Sequence, residues 1–266
     1  MIDLKEKEVA SLDDFKRFDV NNWDDFCRRI NWRVENTKNF NLREDAEDII
    51  HINSMDLTLI FVVSEISKAT EESSIRRILY YPIKKQDIEK FEVPESAVYE
   101  SAKINMQTNG HRRIMKFSEY SMASNTLFPL MKMPEQQGLL GMVSSEDSNM
   151  FIQEKDSLNH DNILTITNKY RTNGASYMFD QNTLDEIAER MADSYYIAPI
   201  STDFLICIKE KYLCDNGNKD INEAEDDLLD MVFSFNDKAP EDKILSYRIY
   251  HYFREEQKLL SIKQQL

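Results

Sequence analysis

Apolar side chains recur at helical spacing over residues 23–34, where Trp23, Phe26, Cys27, Ile30 and Val34 share one face and Asn22 occupies a capping position. This spacing predicts a helix with that face in the core. Over residues 55–66 the run MDLTLIFVVSEI is dense in β-branched and apolar residues, as expected of a strand buried on both faces. Residues 73–81 read as a helix stopping before Pro82, and Pro94 opens a second helical stretch, PESAVYESAKINM, where proline suits the first turn. Between residues 134 and 162 periodicity fades among Gln, Gly, Ser, Asp and Asn, which marks a long loop or a domain boundary.

The second half has a sharper pattern. NILTITNK and GASYMFD read as strands joined by YRTN, a predicted hairpin. A helix begins at Asp180 with Leu184, Ile187, Ala188 and Met191 as its buried stripe, and SYYIAPIS and DFLICIKE supply two further strands around Pro199. The order is β-β-α-β-β. Residues 222–235 form an acidic amphipathic helix with Leu228, Leu229, Val232 and Phe233 on its apolar side, and SYRIYHYF and KLLSI flank EEQ as a terminal hairpin. The expected fold is α+β, with a mixed or antiparallel sheet and packed helices. It is read as one domain over residues 1–266, or as two lobes, 1–133 and 160–266, joined through 134–162.

Composition narrows the class. With 266 residues, 41% of them hydrophobic, the chain can bury a sizeable core without disulfides or metals. Cys27, Cys207 and Cys214 are an odd set with no CxxC pair, which argues against a disulfide framework and a structural zinc site. The start has no apolar leader-like stretch, and the longest apolar run is too short to span a bilayer, so a cytoplasmic location is expected. A net charge of −15 repels phosphate backbones and anionic membranes, so direct nucleic-acid or membrane binding is not expected.

The stretches ILTITNKYRTNGASYMFDQNTLDEIAERMADSYYIAPIS and EAEDDLLDMVFSFNDKAPEDKILSYRIYHY, with NWDDFCRRI, MDLTLIFVV and VPESAVYESAKINM earlier and in order, carry a resemblance. The chain resembles an uncharacterised family widespread in gut clostridia and related Firmicutes. The resemblance implies a shared fold and brings no activity. In that family the strand after the helix leads into a Pro-Ser-Ser-x-His-Glu element. Here the matching residues are Pro199, Ile200, Ser201, Thr202, Asp203 and Phe204, without the histidine.

Candidate chemistry is sparse. His51, His111, His160 and His251 are not spaced as metal pairs, and neither Cys207 nor Cys214 has a neighbouring base in sequence. The loop DNGNKDINEAED offers oxygen ligands at Asp215, Asn218, Asp220 and Glu223, but its Gly217 is out of place for a calcium loop. No cofactor, metal or catalytic residue is therefore assigned. Lys103, Arg112, Arg113 and Lys116 make an acid-free basic stretch that could meet a phosphate backbone or an acidic surface of the same chain. Tyr247, Tyr250, Tyr252 and Phe253 lie along one strand, as sheet packing or as an interface.

Charge is concentrated in one place. Residues 215–242 hold ten acids and two lysines, about half the net charge. The expectation is a non-catalytic interaction or regulatory protein. Its acidic face, Glu223, Glu225, Asp226, Asp227 and Asp230, would bind another protein, one that is basic or binds nucleic acid, with the chain acting as an inhibitor or mimic. The competing expectation is an enzyme with a site assembled from Asn168, Arg171, Asn173 and Ser201 near strand ends.

Overall fold

The computed structural model describes residues 4–8, 12, 15, 19–66, 76–108, 111–117, 119–120, 162–170, 172–215 and 220–264. The region 134–162 lies outside them, apart from Asn162, as does Arg171. The protein is α+β with open sheets, and it divides into two compact units, 1–112 with 168–180, and 113–167 with 181–266.

The first unit holds a five-stranded mixed sheet. Strands β1 (Leu4–Glu8), β5 (Arg76–Pro82), β4 (Leu57–Ile66) and β2 (Ile30–Asn36) lie in that spatial order, and β3 (His51–Ser54) also pairs with β4. β1 runs parallel to β5, and the other pairs are antiparallel. The apolar run is β4, as its sequence predicts: every residue from Leu57 to Val63 is buried. On one face Phe40, Ile49, Ile60 and Val62 form a small core. Helix α4 (Glu95–Thr108) follows Pro94 and buries Val98, Ala102, Asn105 and Met106. Its Tyr99 stacks on Trp32 of β2 and meets Phe61 of β4 edge-on. Short helices α1 (Trp23–Cys27), α2 (Thr37–Asn41) and α3 (Lys85–Glu89) complete the helical part.

Two predicted helices in this unit are wrong in part or whole. Asn22 does cap a helix, accepting from the backbone N–H of Asp24 and Asp25, but that helix ends at Cys27 and the chain is already in β2 at Ile30. Ile30, Trp32 and Val34 satisfy a period of two as well as they satisfy a helical stripe. Pairing with β4, in the register Ile30 to Val63 through Asn36 to Leu57, settles the ambiguity. The side chain of Asn105 secures the switch by donating to the carbonyls of Cys27 (2.7 Å) and Ile30 (2.8 Å). The helix predicted over 73–81 is instead β5 from Arg76 onward, hydrogen-bonded between β1 and β4.

The second unit is built on an antiparallel sheet in the order β11 (Lys258–Gln264), β10 (Arg248–Phe253), β8 (Tyr195–Ser201), β9 (Phe204–Lys209), β7 (Ile163–Asn168) and β6 (Arg112–Lys116). The terminal hairpin is β10–β11, and SYYIAPIS and DFLICIKE are β8 and β9. Pro199 falls where the β8–β9 register shifts, the position in a sheet that tolerates a residue without an N–H. Helix α5 (Gln181–Met191) buries the predicted stripe Leu184, Ile187, Ala188 and Met191. A short helix, α6 (Glu210–Asp215), follows β9. Helix α7 (Ile221–Asn236), capped by Asp220, places Leu228, Leu229 and Val232 in a core shared with Tyr196, Ile206, Ile208 and Ile249. The second-half order needs one correction. GASYMFD is a 3₁₀ helix, Gly174–Phe179, and not a strand, so β7 pairs with β9 and no hairpin forms there.

Candidate functional site

The first unit contains a cleft of about 350 Å³, and all its lining residues belong to that unit. Its floor follows from strand parity. Asn31 and Arg33 point to the same side of β2, and across the ladder they meet Val62 and Ser64 of β4 and Tyr80 of β5. The Asn31 amide donates to Ser64 Oγ at 3.0 Å, and the Arg33 guanidinium carbon lies 3.8 Å from the centre of the Tyr80 ring. Arg28 and Arg29, in the turn between α1 and β2, bring two further guanidinium groups to the rim, where both are exposed. Glu65, buried at the end of β4, is the one acid among the lining residues. A chain of strongly negative net charge thus gathers three arginines at one concave site.

The opposite wall is the segment that leaves β7 and returns to this unit. Asn168 folds it into a turn: its Oδ1 accepts from the N–H of Tyr170 (2.8 Å) and of Thr172 (3.2 Å), and its amide donates to the carbonyl of Thr172. Asn173 takes a left-handed conformation at φ 53°, which asparagine tolerates better than most residues. Its side chain donates to the carbonyl of Trp32 at 3.0 Å. Trp32 reciprocates through its indole N–H, which donates to the carbonyl of Ser176 at 2.8 Å. The Ser176 carbonyl, which a strand would have offered to a ladder, is thus taken by a tertiary partner, in keeping with the 3₁₀ turn. Tyr177 also lines the cleft, and burial pushes its phenol up to about 12, so it remains a protonated donor at neutral pH.

His111 closes one side. Its carbonyl accepts from Lys169 N–H at 2.8 Å, and its ring meets Tyr170 edge-on at 5.3 Å. Its Nδ1 is buried with no hydrogen-bond partner among the described residues. Burial, and secondarily the charge of Lys169, lowers its pKa below the ordinary histidine value. Chemically, the cleft offers guanidinium and phenol donors to an acceptor-rich guest, while the carboxamides of Asn31, Asn168 and Asn173 already donate within the protein. Ser64 Oγ accepts from Asn31, and Ser176 Oγ donates to the Asn173 carbonyl at 2.7 Å. Among the described residues no group of three or more His, Cys, Asp or Glu side chains is placed to hold a metal ion, and no helix is long and apolar enough to cross a membrane.

A model described as a family of unknown function (DUF5688) matches residues 2–254. The chain belongs to this family. No curated protein and no solved structure matches it. Membership in DUF5688 agrees with the resemblance to an uncharacterised family and covers nearly the whole chain, including every residue that lines the cleft and all of the second unit up to residue 254.

The structure distributes the other sequence-derived candidates as follows. On α7, Glu223, Asp226 and Asp230 are exposed and Asp227 is half-buried, but Glu225 is buried and accepts a 2.8 Å hydrogen bond from the Tyr196 hydroxyl. Of the basic stretch, Lys103 and Arg112 belong to the first unit, Arg113 and Lys116 to the second. Arg112 reaches the buried Asp180 carboxylate at 3.4 Å. Asn168 and Asn173 line the cleft, whereas Ser201 lies in the second unit, where its Oγ accepts from the N–H of Asp203. Tyr250 and Tyr252 are fully buried, and Tyr247 is exposed. His251 stacks on Tyr196 and sits 3.0 Å from Glu210, its pKa lowered because burial outweighs that carboxylate. Cys207 is wholly buried, and burial raises its pKa far above the usual thiol value, which makes it an unreactive packing group.

Sequence reasoning did not single out Arg28, Arg29, Arg33 or His111 as a site. One signal was present: RRINWR sets three arginines within a short span with no acid between them. Inside a predicted helix those residues pointed in several directions, and only the strand brings Arg33 beside Asn31.

Proposed function

We propose that this protein binds a small anionic ligand, one carrying a phosphate, sulfate or carboxylate group, in the arginine-lined cleft of its first unit, and that it does so without a covalent step. The observation that carries this reading is the convergence of Arg28, Arg29 and Arg33 on one cleft with a single acid among its lining residues. Guanidinium groups present paired N–H donors that match the geometry of such anions. The volume lies toward the lower end of the range for small-ligand sites. Ser176 gives its hydroxyl proton to the Asn173 carbonyl, and Ser64 Oγ has an amide N–H beside it and not a base, which favours binding over nucleophilic chemistry.

The test is a titration with inorganic sulfate, phosphate and citrate, followed by calorimetry or NMR, on wild type and an Arg28→Glu/Arg29→Glu variant. Both arginines are exposed, so their substitution is expected to change stability by no more than about 0.5 kcal/mol. Saturable binding by wild type, weakened roughly tenfold or more in the variant, is the expected result. Absence of saturable binding for all three anions, or equal affinity in the variant, overturns the reading.

A second reading is an interaction or regulatory protein that docks a basic or nucleic-acid-binding protein on α7, as an inhibitor or mimic of nucleic acid. What favours it is the exposed row Glu223, Asp226 and Asp230, spaced by three and four along one helix. Under this reading, a basic protein retained from a host lysate at low salt is released at high salt and is not retained by a Glu223→Gln/Asp226→Asn/Asp230→Asn variant. Retention by that variant at wild-type levels counts against this reading.

A further inference from the structure

We infer that anion binding in the cleft is proton-linked through His111: the imidazole is neutral in the ligand-free protein and takes up a proton as an anion enters. This rests on the anion-binding reading above and adds to it a dependence on pH.

The geometry supplies the argument. A protonated imidazole has two N–H donors to satisfy, yet the Nδ1 of His111 is buried and without a partner among the described residues. The charges around it are mostly of the same sign. Lys169 follows in the returning segment, and Arg28, Arg29 and Arg33 line the same cleft. Arg112, next in the chain, lies against Asp180, whose other oxygen accepts from Gln107. Glu65 is the one acid of the lining, and Tyr80, Tyr170 and Tyr177 contribute only phenols. In the ligand-free cleft this setting opposes a further positive charge, in agreement with the lowered pKa of the ring.

An anion held by the arginines reverses the balance. It offsets their field and gives the imidazolium a counter-charge within the same confined space, where charges are poorly screened. A ligand that raises the pKa of His111 must, by linkage, bind more tightly when His111 is protonated, and by the same factor. The sign follows: affinity is lowest above the bound-state pKa, rises as pH falls through it, and levels off below the ligand-free pKa.

Sulfate is the probe, because it stays dianionic between pH 5.5 and 8.0 and does not titrate itself. The sulfate dissociation constant and the NMR titration curve of the His111 ring are measured across this range on the full chain. The expected results are a His111 midpoint moved up by about one pH unit at saturating sulfate and, as such a shift implies over this window, an affinity about fivefold higher at pH 5.5 than at 7.5. A His111→Gln variant should lose the pH dependence and bind sulfate with a flat profile across this range, whatever its absolute affinity. Sulfate binding with a flat profile in wild type, an unmoved His111 midpoint, or an unchanged pH slope in the variant each overturns the inference while leaving the anion site intact. Failure of wild type to bind sulfate at any of these pH values overturns both.

Discussion

Replacing Trp32 by alanine is expected to destabilise the first unit by about 3–5 kcal/mol, measured as a lower midpoint in urea denaturation followed by circular dichroism. Trp32 is 2% exposed, stacks on Tyr99 with ring centroids 6.4 Å apart, and meets Phe61 edge-on at 6.5 Å. Its removal opens a cavity between β2 and α4 and leaves the Ser176 carbonyl without its donor. Trp32→Phe separates the two contributions: most of the aromatic packing survives and the N–H is lost, so about 1–2 kcal/mol is expected. Both variants should also weaken sulfate binding, because the wall that contains Asn173 and Ser176 is tied to β2 through Trp32. A Trp32→Ala protein with wild-type stability would mean that the α4 packing carries little of this unit's cohesion.

The second large effect is expected in the other unit. Leu228 is fully buried at the centre of α7 against β8 and β10, so Leu228→Ala should cost about 2–5 kcal/mol, read by the same denaturation experiment. The contrast lies one face away. Glu223→Gln/Asp226→Asn/Asp230→Asn should shift stability by about 0.5 kcal/mol or less per position, since these side chains are exposed. Glu225 differs from them, because it is buried and holds the Tyr196 hydroxyl. If the triple variant lost as much stability as Leu228→Ala, the acidic row would be a structural element of the fold and not a solvated face.

These two helices show where pattern sufficed. In α7 and α5 a single period dominates over three or more turns, acids or polar residues fill the opposite side, and burial follows the stripe. The β10–β11 hairpin was equally legible, with two β-rich runs and a short polar connection. Residues 23–34 show where pattern failed. There the apolar positions satisfy both periods, and the outcome depends on β4, which lies later in the chain. GASYMFD failed for a related reason: its apolar content suits a strand, but its carbonyls are claimed by Trp32 and by its own turn. The cleft was the least legible feature. Arg33, Tyr80, His111 and Asn173 are far apart in sequence and obey no common spacing.

By itself the sequence determined the α+β class, the doubly buried β4, the amphipathic α5 and α7, the terminal hairpin and the concentration of acid on α7, because each depends on local periodicity and side-chain chemistry. Tertiary structure alone decided that residues after Cys27 enter a sheet, that Glu225 is inside, and that three arginines of an acidic chain line one cleft. Those outcomes depend on which distant segments pair, and a backbone hydrogen bond or a shared strand face between distant residues leaves no periodic trace in either partner.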